Sequence, residues 1–252
     1  MIKLSGYSIT SSAWKVSLIA IFTALTAVAT ISFSVSVPAT RGYFNIGETM
    51  IYVAALLFGS SIGGLSAGFG SMIADLALGY AVYAPATLVV KGLEGAIVGF
   101  LASRNPYRKL SPRSSKIISI VAAISFAFIV YLIGSTYYSG KMEISFAWPI
   151  LSLGFEVNIP NLFWMLLSAI AAITILYISL KQDSYLSWQI ISILIGGSVM
   201  VIGYFFYQQL ILGVVAIVEI PINIGQMIIG AIIAIPLVRA IKTRMPKILS
   251  HN

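Results

Sequence analysis

Five ionisable side chains stand inside long apolar stretches of this sequence: Glu48, Asp75, Lys91, Glu94 and Glu219. A charge at the centre of a membrane-length helix costs about 2.5–3.5 kcal/mol on insertion scales, so such residues are functional candidates by default. Two sets share one spacing. Thr87, Lys91 and Glu94 stand at i, i+4 and i+7, and Glu219, Asn223 and Gln226 repeat it, so each set lies on one helix face. Both stripes start near the same end of their helices and run one or two turns inward. Turned toward each other, they would line a pocket for a small polar molecule.

Other chemistry is thinly represented. The chain has no Cys, which excludes disulfides, thiolate metal sites and a cysteine nucleophile. Its one His, His251, is the penultimate residue, so a His-based metal or acid–base centre is not expected. Residues 134–142 (GSTYYSGKM) look like a P-loop but are one residue too long and lack the hydroxyl residue after Lys141. No G-x-S-x-G, H-E-x-x-H or dinucleotide fingerprint occurs. We therefore expect no enzyme, no resident metal or cofactor, and no ATP hydrolysis by this chain itself.

Each polar residue also has a structural reading. Lys91 and Glu94 stand three apart and suit an ion pair, with Asp75 as another partner for Lys91. Glu219 precedes Pro221 and suits the cap of a half-helix. Asn45-Ile-Gly-Glu48 has the spacing of a capping box, a reading favoured here over ligand contact. Tyr43, Tyr80, Tyr83, Tyr204 and Tyr207 fall where an aromatic belt is expected. The joint placement of these groups at one membrane face is what points to a site.

The elements that must carry them are membrane helices. The 252 residues are 59% hydrophobic and 9% charged, with a mean hydropathy of +1.00, whereas a soluble domain has roughly 25% charged residues. A soluble enzyme and a disordered tail are both excluded. The first apolar run, residues 13–37, exceeds a signal-peptide h-region, although Val-Pro-Ala at 37–39 faintly resembles a cleavage site. Spans are expected at 13–33, 46–58, 62–78, 86–102, 117–137, 161–180, 188–207 and 214–241. The second and third are separated by a Gly59-Ser-Ser turn, because one helix from 46 to 84 would be nearly 60 Å long. The segments 40–45 and 138–160 read as loops. Eight spans put both termini on one side. With that side cytoplasmic, twelve of the fifteen basic residues lie inside and Arg41 and Lys141 lie outside, as the positive-inside rule asks. The net charge of +8 is thus an orientation signal, not a nucleic-acid footprint.

Three blocks resemble the substrate-binding S component of energy-coupling factor (ECF) transporters. They are Gly42-Tyr-Phe-Asn-Ile-Gly-Glu48 with the following glycine-rich hairpin to Asp75; Tyr83-Ala-Pro-Ala-Thr-Leu-Val-Val-Lys-Gly-Leu-Glu-Gly95; and Gly203-Tyr204-Phe205 followed by Glu219-Ile-Pro-Ile-Asn-Ile-Gly-Gln226. With the first helix they cover residues 13–104 and 187–242. The resemblance implies an all-α, six-helix core with cytoplasmic termini and a ligand pocket near the outer face. Carried onto this chain, the pocket would use Asn45, Glu48, Tyr83, Thr87, Lys91, Glu94, Tyr204, Glu219, Asn223 and Gln226. It also implies an A-x-x-x-A contact with the transmembrane T subunit, matched by Ala20 and Ala24, with Thr23 and Ala27 offering a second register. ATP would be used by two partner ATPases. The chain departs from the family core by two extra spans. We read residues 1–110 as core helices 1–4, 111–183 as an inserted transmembrane hairpin with an external loop, and 184–252 as the last two core helices and a basic tail. The expected function is the substrate-binding subunit of an importer for a vitamin or vitamin precursor, riboflavin-like or pyrimidine-like. A self-sufficient proton-coupled secondary transporter using the carboxylates is the alternative, though no inverted repeat of broken helices is evident.

Overall fold

The computed structural model describes residues 12–37, 42–104, 112–137, 139–148, 151–181 and 184–244. Eight α-helices follow one another there: α1 (Ser12–Ser32), α2 (Glu48–Phe58), α3 (Ser60–Leu78), α4 (Ala84–Ser103), α5 (Pro112–Tyr137), α6 (Asn161–Lys181), α7 (Ser184–Leu212) and α8 (Glu219–Arg244). Two antiparallel hairpins join them, β1 (Ser34–Val37) with β2 (Gly42–Asn45) and β3 (Gly140–Trp148) with β4 (Leu151–Ile159). Arg41, Arg108, Lys109 and the ends of the chain, with Lys247 of the expected basic tail, lie outside the described residues, whereas Lys242 and Arg244 of that tail close α8.

The chain is an all-α polytopic membrane protein. Among the described residues, α1, α3, α4, α5, α7 and α8 are long and apolar enough to cross a bilayer. Their outward faces are apolar, as with Val16, Val28, Val121, Phe128 and Ile232, each at least 58% exposed. Lipid is the solvent those side chains require. The short second span expected from the sequence is α2, which starts two residues later than expected. Its 11 residues make a helix of about 16 Å, half the hydrocarbon thickness. It starts deep because Glu48, its first residue, already lies level with Lys91 in the second turn of α4. Every residue from Ile51 to Leu57 is buried, so α2 is the core helix around which the others stand.

Chain reversal between α2 and α3 takes one residue, not the expected Gly59-Ser-Ser turn. Gly59 adopts φ 83° and ψ −167°, a conformation open to glycine, and α3 starts directly at Ser60. Close approach of α3 to α4 explains the glycine cluster. A Cβ on Gly68 would sit 2.6 Å from the Leu88 carbonyl, and one on Gly95 would strike the Gly63 backbone. Small residues at such positions let helix backbones meet where lipid offers no hydrophobic drive.

Both expected loops contain strands. Met142, Ile144, Phe146 and Trp148 alternate with Lys141, Glu143, Ser145 and Ala147, a period of two that marks a strand; β4 alternates likewise through Leu151, Leu153, Phe155 and Val157. β3 lies alongside β1, so the two hairpins meet at one end of the bundle. The helices α5 and α6 pack mainly against each other, with lighter contact to α7 and α8. The last expected span also divides. A 3-10 helix, Gly213–Val218, precedes α8, which begins at Glu219.

Candidate functional site

At the end of the bundle that carries the hairpins is a cavity of about 440 Å³, its open mouth included. Its walls come from six elements: Thr30 of α1, Gly42, Tyr43 and Asn45 of β2, Ser71 and Asp75 of α3, Thr87 and Lys91 of α4 with Tyr83 before it, Tyr204 and Gln208 of α7, and Glu219, Asn223 and Gln226 of α8. Because α2 begins halfway down, β2 and the two residues after it occupy the upper part of the bundle and leave room beside them.

The floor is an ion cluster. Lys91 Nζ donates to Glu48 Oε1 and, at 3.3 Å, to Glu94 Oε2. Tyr52 donates to the other Glu94 oxygen at 2.7 Å. None of these groups is more than 4% exposed. The ion-pair reading of Lys91 and Glu94 therefore holds, and Glu48 joins it from the neighbouring helix. The pairing of Lys91 with Asp75 does not form; Asp75 Oδ1 instead accepts from Tyr43 at 2.6 Å. Burial first, and then the Asp75 carboxylate, push the Tyr43 phenol well above its ordinary pKa.

The capping box is also corrected. Gly47 is the N-cap of α2 and Glu48 its first residue, so Glu48 stands two positions too early to reach back to Asn45. Asn45 Oδ1 accepts from the Gly47 N–H at 2.8 Å, an Asx turn. Its own amide and backbone N–H reach Gln226 Oε1 at 2.5 and 3.2 Å, and Gln226 donates on to Asn223 at 2.9 Å. This amide chain ties the β2 wall to α8. On the far side Tyr204 donates to Thr87 at 2.9 Å and lies 5.5 Å from the Lys91 ammonium. Glu219 opens α8, where the positive end of the helix dipole favours its charge, so the capping reading and the wall reading meet in one residue.

Of the ten residues singled out from the sequence, eight line the cavity together: Asn45, Tyr83, Thr87, Lys91, Tyr204, Glu219, Asn223 and Gln226. Glu48 and Glu94 lie beneath it and hold Lys91. Thr30, Gly42, Tyr43, Ser71 and Gln208 are wall residues that the sequence reading missed, and Asp75, a candidate there as an intramembrane carboxylate but not placed in the pocket, joins them. Two of these pairings were legible, since Ser71 with Asp75 and Tyr204 with Gln208 stand four apart on one helix face. Three wall residues keep buried polar atoms with no hydrogen-bond partner: Thr30 Oγ1, Asp75 Oδ2 and Gln208 Oε1. Unpaired buried polar atoms cost about 1–3 kcal/mol each, so their gathering around one cavity marks a site built to receive a partner. No cluster of His, Cys, Asp and Glu suited to a metal occurs among the described residues.

Comparison with known proteins adds the frame. The family model for the "ECF-type riboflavin transporter, S component" matches residues 10–182. A protein of Pyrococcus woesei described as "Uncharacterized protein in gap 3'region" is 38% identical over 107 residues, 41% of this chain and 72% of that protein. The "Thiamine precursor transporter HmpT" of Lactococcus lactis subsp. cremoris (strain MG1363) is 33% identical over 86 residues, 34% of this chain and 52% of its own length. The match thus spans about half of that transporter. With the larger part of its length matched by the family model, and with its polar cavity inside a membrane bundle, the chain belongs to the ECF-type riboflavin transporter S component family, the vitamin-type substrate-binding subunits of membrane transport.

Proposed function

We propose that this chain captures a vitamin or vitamin precursor from outside the cell and delivers it as the S component of an ECF-type importer. The termini are cytoplasmic, the cavity faces outward, and a T subunit with two ATPases supplies the driving force. Residues 111–183 are an added transmembrane hairpin on the S-component core. The observation that carries this reading is the cavity ringed by unpartnered buried polar atoms, placed in a chain of this family. A riboflavin-like ligand follows the family's description, and a thiamine-precursor-like one follows the relative's.

The chain's own part is binding and discrimination. Ligand groups satisfy the orphaned wall atoms, and ring faces of the ligand lie against the tyrosines. The ligand biases transport only through its different affinity for outward and inward states. Proteoliposomes test this. The chain alone, given a proton gradient, should bind ligand without concentrating it, and uptake should appear when a T subunit and ATPases are co-reconstituted with ATP. Gradient-driven accumulation by the lone chain would instead make it a secondary transporter.

A further inference from the structure

Resting on the reading of the cavity as the substrate pocket, we propose that the β3–β4 ribbon is a strap that holds the β1–β2 hairpin against the cavity and so sets how fast the site opens. The argument starts from how β2 is held. Its residues Gly42, Tyr43 and Asn45 line the cavity, and across the hairpin they pair with Val37, Ser36 and Ser34 of β1. Inward, Tyr43 donates to Asp75 of α3 at 2.6 Å, and Asn45 donates to Gln226 of α8. These are a few hydrogen bonds onto wall groups, so β2 is a wall that can lift. A two-stranded hairpin is marginally stable by itself in water, and each of these strands has only four residues. Its support comes from outside the pair, where β3 lies against β1.

The strap is long and separately rooted. β3 and β4 run nine residues each and pair throughout, from Gly140 with Ile159 to Trp148 with Leu151, about 30 Å of ribbon. At its base the side chains of Ser139 and Asn161 are hydrogen-bonded. Its two ends lie within two residues of α5 and α6, which pack mainly against each other. The described wall residues come instead from α1, β2, α3, α4, α7 and α8, with Tyr83 ahead of α4. The insertion thus meets the site through β1. β3 does not join the β1–β2 ladder, so the two hairpins can part without breaking a sheet. Such a contact governs the motion of a wall rather than its chemistry.

The chain has no Cys, so opening can be read as the rate at which a water-soluble methanethiosulfonate modifies Ser71→Cys in nanodiscs. Ser71 is 5% exposed and stands one turn deeper on α3 than Asp75, the group to which Tyr43 donates. The reagent therefore reaches it when β2 lifts. In the strap-free variant Asn-Gly replaces residues 142–157 and closes the Lys141–Asn158 pair as a two-residue turn. Ser71→Cys should react slowly with the strap present and at least tenfold faster without it. Ser66→Cys, further down α3 and 0% exposed, should stay unreactive in both. If the strap-free variant fails to fold, Gly-Ser inserts after Ser139 and Ile159 free the ribbon without removing a residue and carry the same expectation. A smaller acceleration overturns the proposal, as does equal acceleration at Ser66→Cys, which would mean general loosening. Reaction of Ser71→Cys with the strap present as fast as at the exposed Ser139→Cys overturns it too. No ligand is needed, so each of these outcomes leaves the substrate-pocket reading standing; failure of that reading shows in the proteoliposomes.

Discussion

Lys91 shows how one residue serves two readings at once. It lines the cavity, yet its ammonium is the counter-charge for two buried carboxylates. Removing one partner of a buried ion set leaves charge uncompensated, at about 3–5 kcal/mol, whereas neutralising the whole set is often tolerated. Lys91→Met should therefore lower the melting temperature sharply in detergent, and adding Glu48→Gln with Glu94→Gln should restore much of it. A single variant as stable as the parent would show that the cluster is not ionised as drawn. Asn223→Ala makes the contrasting case. It removes an acceptor for Gln226 at the cavity wall, so it should stay folded and lose about tenfold in ligand affinity, about 1.4 kcal/mol. At this scale the sequence showed which residues belong together, and the Lys91–Glu94 pair within one helix, but not the partners that come from other elements. Glu48 looked like a capping residue because Asn45 stands three before it; the register of α2, set by Gly47 as N-cap, sends the carboxylate to Lys91. Spacing along a chain does not reveal which helix stands opposite.

The helices themselves were legible because apolar runs bounded by Gly, Pro and charge leave few alternatives in a bilayer. Both hairpins were missed, since Gly, Tyr and Trp content suggested loops and the period of two in residues 142–148 and 151–157 went unused. α1 resolves an ambiguity that spacing left open. Ala20 and Ala24 are exposed on its outward face beside Ile21 and Leu25, whereas Ala27 is buried and a Cβ on Gly70 of α3 would strike the Thr23 carbonyl and Thr26. The Thr23/Ala27 register is thus used inside the chain, and only the alanine pair is free to meet another subunit. Replacing Ala20 and Ala24 together by Leu should weaken co-purification with the T subunit at least tenfold and leave ligand affinity within a few-fold. Undiminished co-purification would place the contact elsewhere. Leu at Ala27 should act differently, destabilising the isolated chain by about 1–3 kcal/mol through overpacking.

At the scale of the whole molecule, the short α2 makes topology a question of physics. The chain runs down α2 from the hairpin end and returns up α3 through a one-residue reversal at Gly59. If this pair counts as two passes, eight helices leave both termini on one side. If the two behaved as one bent span, the termini would lie on opposite sides. Charge favours the first outcome, because twelve of fifteen basic residues then face the cytoplasm, and cytoplasmic Lys and Arg set orientation. Close packing favours it as well, since a Cβ on Gly63 of α3 would sit 2.7 Å from the Ala55 backbone of α2, so the two helices lie side by side after the reversal. The absence of native Cys allows a direct measurement by single-cysteine labelling in intact cells. Ser139→Cys, next to β3 at the cavity end, should react with a membrane-impermeant maleimide. Ser5→Cys and Ser250→Cys should react only after the membrane is permeabilised. Labelling of one terminus but not the other in intact cells would mean that α2 and α3 do not reverse across the bilayer. Labelling of both termini with protection of Ser139 would turn the cavity toward the cytoplasm and end its reading as a capture site for an external ligand.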